Sequence, residues 1–206
     1  MHDLDRSLPD LARTDTTVII ERHPVAGPAQ TTSVADTIVG SWYARARPSG
    51  LVSVVCLPSM RNDSVLTYQQ WQSEVDGEVA SSMPGSATRY RLRRSVVFGE
   101  HTPADCLVVS TFEFPSPTDA EQWTDLMAAA LQSRRPSIDG LLGQYLHIGG
   151  ATVLNCSAWT HADDHRAFLE ASLPGPEWRR VHEYPGMVHG PGSRCRIHAV
   201  LRTEQA

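Results

Sequence analysis

The stretch "VLNCSAW" (residues 153–159) sets an asparagine four residues before a tryptophan, inside an apolar, β-prone run. The same frame occurs earlier as "VLTYQQW" (65–71), with Thr67 where the later stretch has Asn155. Sliding the chain by 88 positions, from Val65 to Val153, also lays Arg47-Pro48 over Arg135-Pro136 and Ile38-Val39 over Leu126-Met127. One constant offset that links a helix, its terminating proline and a later strand predicts an internal tandem duplication.

Each copy reads as the same string of elements. The first begins with the β-branched strand "TTVIIER" (16–22), followed by an amphipathic helix over 33–46 that starts after Ser33 and stops before Pro48. Strands "LVSVVCL" (51–57) and "SVLTYQQW" (64–71), a short helix from Ser73 and the strand "RLRRSVVF" (91–98) complete it. The second copy runs "CLVVSTFEF" (106–114), a helix over 118–134, "LLGQYLHI" (141–148), "TVLNCSAW" (152–159) and a helix over 161–171. Its last strand, "CRIHAVLR" (195–202), follows a Pro/Gly-rich excursion at 173–193. The unit is β-α-β-β-α-β, the ferredoxin-like arrangement. The expected fold is α+β: two tandem ferredoxin-like units whose antiparallel sheets pack into an intramolecular dimeric α+β barrel. The expected divisions are a flexible tail over 1–15, a first domain over 16–102 and a second over 103–206.

Side chains alternate along a strand, so Val153, Asn155, Ser157 and Trp159 share one face. The opposite set, Leu154, Cys156 and Ala158, is small and apolar and is assigned to the sheet–sheet interface. The Asn155 set then faces the helices, and its counterpart in the first copy is Val65, Thr67, Gln69 and Trp71.

Bulk properties narrow the function. The 206 residues are 41% apolar and 20% charged, with a formal charge of −5, which gives no footprint for nucleic acid. The alternating arginines 89, 91 and 93 read as the solvated face of a strand. All 18 basic residues are arginine, which excludes Schiff-base chemistry, a pyridoxal-phosphate anchor and a P-loop lysine. Cys56, Cys106, Cys156 and Cys195 are widely spaced and read as free buried thiols. With no basic-then-apolar leader and no apolar run of roughly 20 residues, the chain reads as cytosolic and outside the membrane.

The stretches "LLGQYLHIGGATVLNCSAWTHADDHRAF" (141–168) and "GLVSVVCLPSMRNDSVLTYQQWQSE" (50–74) resemble the antibiotic biosynthesis monooxygenase family of dimeric α+β barrels. The resemblance rests on an N-x-x-x-W strand followed by a helix ending in "HRAF" (165–168). Cys156 stands where the family commonly has tyrosine, and His165 stands where its helix often carries a tyrosine six residues after the tryptophan. The resemblance implies oxidation of an aromatic, anthrone- or naphthol-like polyketide by molecular oxygen, without metal or other cofactor, in secondary metabolism. It implies catalytic roles for Asn155, Trp159 and His165: amide and indole N–H donors to an oxyanion, and an imidazole base. Ser157, Trp71 and Arg179 are the candidate substrate-binding residues. The first copy has no asparagine, and Gly77 at the position of His165, so its site reads as degenerate.

His161 and His165, with Asp163 and Asp164 between them, have a metal-binding spacing, but no third ligand lies at a telling distance. The haem-degrading variant of the fold needs an asparagine in the first strand, and "CLVVSTFEF" has none. A polyketide cyclase or isomerase working by acid–base catalysis fits the same pocket. In a non-catalytic ligand-binding barrel both tryptophans would be packing residues. A fused pair predicts a monomer with an internal pseudo-dimer, or a homodimer of it.

Overall fold

The two strands that carry Trp71 and Trp159 each pair on both sides with antiparallel neighbours. The structure is a computed structural model that describes residues 6–44, 48–72, 88–98, 102–134, 138–171 and 175–203. The expected helix from Ser73, Gly77, Arg47 and the pair Arg135-Pro136 lie outside the described residues. In chain order the elements are β1 (Thr16–Pro24), α1 (Pro28–Ala44), β2 (Leu51–Pro58), β3 (Ser64–Gln72) and β4 (Arg89–Val97). Then come β5 (Cys106–Glu113), α2 (Pro117–Gln132), β6 (Leu141–Gly149), β7 (Thr152–Trp159), α3 (Ala162–Glu170), α4 (Pro176–His182), β8 (Val188–Arg196) and β9 (Ala199–Arg202). The fold is α+β, and the ladders around β3 and β7 are antiparallel. Among the described residues no helix is long and apolar enough to cross a membrane.

The chain divides into two compact units, one of residues 1–89 with 194–206 and one of residues 90–193. The first unit's sheet has the order β1-β3-β2-β9. Its C-terminal strand is recruited because β9 continues the β2 ladder, from Ser53 opposite Arg202 to Cys56 opposite Ala199. The second unit's sheet has the order β8-β5-β7-β6-β4, and the chain there runs β5-α2-β6-β7-α3-α4-β8. Strand β4 belongs to this unit because it pairs with β6, from Arg91 opposite Ile148 to Val97 opposite Gly143. The boundaries at 102/103 expected from the repeat are therefore displaced. Both strands pair away from their neighbours in sequence, β4 with β6 and β9 with β2.

Other expectations change with the structure. Helix α1 starts at Pro28, several residues before the expected start. Proline's fixed φ suits the first helical position, Thr31 N–H already bonds Gly27 O at 3.0 Å, and Gln30 Oε1 accepts from Ala26 N–H at 2.6 Å. Helix α2 begins one residue before the expected 118, with Ser116 as N-cap accepting from Asp119 N–H at 3.2 Å and Pro117 next. The 173–193 excursion is not a long loop: it holds α4 and the first six residues of β8. The strand expected over 195–202 breaks at Ile197-His198, where His198 N–H donates to Cys56 O at 3.0 Å. Nor are residues 6–15 a loose tail. Pro9 and Leu11 are buried, Gln70 Nε2 donates to Asp10 O at 2.8 Å, and Arg202 donates to Ser7 O and Leu8 O at 2.8 and 3.0 Å.

The alternation read from sequence holds in both units. Val153 and Trp159 join Trp123, Met127 and Leu131 of α2 in the second unit's core. Trp71 packs with Ile19, Leu51, Val54 and Trp42, and Val65 with Ala35 and Val39, under α1. All four cysteines are free and buried, and burial pushes the Cys56 thiol up to about 12. Arg89, Arg91 and Arg93 are exposed along β4. A bulge between Leu92 and Arg94 aims both Arg93 and Arg94 at Asp125 of α2, at 3.1 and 2.8 Å.

Candidate functional site

The helix-facing side of β7 is polar in its middle and aromatic at its end. Asn155 lies opposite Ser110 on β5 and Leu146 on β6, while Ser157 lies opposite Val108 and Gln144. Ser110, Gln144, Asn155 and Ser157 thus form a patch of hydrogen-bonding groups on one surface. Gln144 and Ser157 are 6% and 3% exposed, and Ser110 is half-buried.

Asn155 is 9% exposed. Its Nδ2 donates to Ser110 Oγ at 3.2 Å, and among the described residues no hydrogen bond reaches its buried Oδ1. Exchanging the amide's oxygen and nitrogen would move the vacancy to the nitrogen without removing it. One end of this amide therefore has spare hydrogen-bonding capacity in a buried place, where an unmet polar group costs about 1–3 kcal/mol. A ligand oxygen could meet that end.

Trp159 is 1% exposed, and its indole N–H donates to Ser157 Oγ at 2.8 Å. That bond corrects one expectation: the N–H is already used within the strand, so an oxyanion would have to displace Ser157 to reach it. The ring still forms a wall. His165 meets it edge-on with centroids 5.1 Å apart, and Phe168 lies 5.4 Å from it. His165 is half-buried on α3 and stacks with Phe168 at 6.5 Å.

The position of α3 is set at Gly140 and His161. Gly140 has φ +76°, and a Cβ there would collide with the Asp164 side chain; its carbonyl accepts from Thr160 N–H at 2.8 Å. His161 is the N-cap, its N–H bonded to Asp164 Oδ2 at 3.0 Å and its ring 3.2 Å from Asp105. It therefore lies outside the helix that carries His165. Among the described residues no group of three or more His, Cys, Asp or Glu is placed to hold a metal ion.

The segment after α3 adds residues that the sequence did not single out for the site. Trp178 of α4 is buried edge-on to Phe168 at 5.8 Å and stands 5.1 Å from His182. His189 of β8 stands 5.1 Å from Phe112, which packs on Trp123 at 4.7 Å. Partial burial, and then the nearby charge of His189, hold the His182 imidazole below its ordinary value. Arg179 is exposed on α4, while its neighbours Trp178 and Val181 turn inward. Trp71 belongs to the first unit's core. Ser110 was legible from the alternation Cys106, Val108, Ser110, Phe112; Trp178 and His189 carried no signal, since only the fold of 173–193 brings them here.

Several solved structures share this architecture. An anthrone oxidase-like protein aligns over 95% of this chain and 96% of its own, with TM-score 0.73 and 12% identity. The likeness is one of fold. A ferredoxin-fold protein from Listeria monocytogenes, related to antibiotic biosynthesis monooxygenases, aligns over 89% of this chain and 95% of its own, with TM-score 0.53 and 11% identity. A monooxygenase-like protein from Listeria innocua covers 94% and 96%, with TM-score 0.52 and 11% identity. No family model and no curated sequence matches the chain.

Proposed function

We propose that the protein is a cofactor-independent monooxygenase that oxidises a flat, electron-rich aromatic substrate of the anthrone or naphthol type with molecular oxygen. The observation that carries this reading is the Asn155 amide, buried and half-satisfied, on the same strand face as Trp159, whose ring is flanked by His165 and Phe168. Two tandem ferredoxin-like units forming one internal α+β barrel are part of the proposal, supported by the recurring element order and by the full-length overlap with an anthrone oxidase-like protein. Secondary metabolism is the proposed setting.

The chemistry assigns each residue a task. The aromatic walls bind the ring by its faces and edges. The free end of the Asn155 amide bonds the substrate oxygen, where charge develops on deprotonation. His165 accepts a proton from the anthrone CH2 or phenol, because an imidazole nitrogen can take up a proton and return it. The resulting anion gives one electron to O2, the two radicals combine to a peroxide anion, and the proton held by His165 returns to give the hydroperoxide. Loss of water then leaves C=O where CH2 stood, with one oxygen atom in the product and one in water. Trp159 holds the floor of the site through Ser157, and Arg179 at the exposed rim meets the outer edge of the substrate. The first unit's equivalent face, with Thr67 and Trp71, serves the scaffold.

Oxygen uptake with a model anthrone in chelator-treated buffer tests this. The expected result is uptake by the wild type and a loss of about 100-fold in Asn155→Ala. No uptake with any anthrone or naphthol would sink the oxygenase reading. Ring closure or isomerisation without oxygen consumption would replace it with acid–base catalysis in the same pocket.

A further inference from the structure

We propose that Ser110 is the positioning residue of this site: its hydroxyl holds one end of the Asn155 amide so that the other end always faces the bound ring. It also lets the amide present a carbonyl to a phenol and an NH2 to the phenolate. This inference rests on the reading of the β7 face as a phenol-binding site.

Ser110 and Asn155 are direct partners across the β5–β7 ladder, with Nδ2 donating to Oγ at 3.2 Å. In that arrangement the unpaired atom is Oδ1, an acceptor that matches a substrate O–H. Once the substrate loses its proton the match fails, because a phenolate needs a donor. Turning the amide over restores it, and Ser110 can follow, since a hydroxyl both donates and accepts.

A carboxylate at this position could accept only from the NH2 and would lock the amide one way. The register-matched position in the first unit carries such a group: Glu21, opposite Thr67, holds the NH2 of Gln69 at 2.8 Å.

The test compares binding of 2-naphthol with 2-methoxynaphthalene, which has the same ring but no O–H, by quenching of tryptophan fluorescence. Ser110→Thr and Ser110→Val have nearly equal volume, suit a strand and differ in the hydroxyl. The wild type and Ser110→Thr are expected to favour the naphthol by about tenfold, the worth of one hydrogen bond. In Ser110→Val and Asn155→Ala the preference is expected to fall below about threefold. A merely structural role would weaken both ligands alike and leave the ratio unchanged. Retention of the ratio in Ser110→Val, with its loss in Asn155→Ala, would overturn the role of Ser110 and leave the phenol site standing. A wild type that binds neither ligand and takes up no oxygen would overturn that site as well.

Discussion

The helix-facing sides of β3 and β7 match position for position in their strand registers, yet their polar groups are handled in opposite ways. In the first unit Glu21 accepts from Thr67 Oγ1 at 3.3 Å and from Gln69 Nε2 at 2.8 Å, and Gln69 Oε1 accepts from the Trp71 indole at 3.1 Å. The chain of bonds closes on itself. In the second unit the corresponding groups are Ser110, Asn155, Ser157 and Trp159. The tryptophan is again tied to the residue two before it, but the amide keeps an unmet end. The tryptophan bond is common to both faces and belongs to packing; the open amide exists in one and is the better mark of a site.

That contrast can be broken or sharpened by substitution. The largest effect should be shared. Trp71→Ala and Trp159→Ala remove side chains 3% and 1% exposed and should each cost about 3–5 kcal/mol in urea unfolding. A loss below about 1 kcal/mol in either would end the structural equivalence of the two strands.

Next comes a difference on the opposite faces. His147 lies opposite Leu154, where the first unit sets Leu57 opposite Leu66. Burial drives the His147 imidazole down to about 4, against the weaker opposing effect of backbone hydrogen bonds at Leu154 and Tyr145. The unfolded chain then binds more protons between about 6.5 and 4. Stability should be full above about 6.5, fall as the pH drops and level off below about 4, a change of about 3 kcal/mol. His147→Leu imports the first unit's residue and should flatten this slope; unfolding curves at several pH values decide, and an unchanged slope would place its origin elsewhere.

The catalytic contrast follows. Where Asn155→Ala removes about 100-fold of oxygen uptake, Thr67→Ala at the matched position should leave the rate unchanged. A fall in Thr67→Ala would mean that the first unit's face takes part in the reaction. Smallest is the cost in stability. Gln69→Ala breaks a closed network and should cost about 1–2 kcal/mol, whereas Asn155→Ala deletes an amide already short of a partner and should cost less than about 1 kcal/mol. Denaturant midpoints of the pair measure this, and the reverse order would mean that Asn155 is held more tightly than its single bond to Ser110 indicates.

Much of the scaffold was legible because it follows from local chemistry. Strand alternation put Val153, Asn155, Ser157 and Trp159 on the helix side, and the helix expected over 118–134 is α2 within two residues at each end. The errors came where a partner is distant. Gly27-Pro28 opens α1 through bonds across a turn that the run after Ser33 does not announce. Leu11 and Pro9 look like tail until a sheet covers them.

By itself the sequence determined which strands recur, which face of each meets helices, and that one asparagine lacks a counterpart, because these depend on periodicity along the chain. Only the tertiary structure decided that β4 and β9 complete sheets away from their sequence neighbours. It alone paired Asn155 with Ser110, 45 residues earlier, bonded Trp159 to Ser157, and brought Trp178 to Phe168 and His189 to Phe112. A hydrogen bond is satisfied by whichever group the folded chain brings within about 3 Å, and that distance is not written in residue spacing.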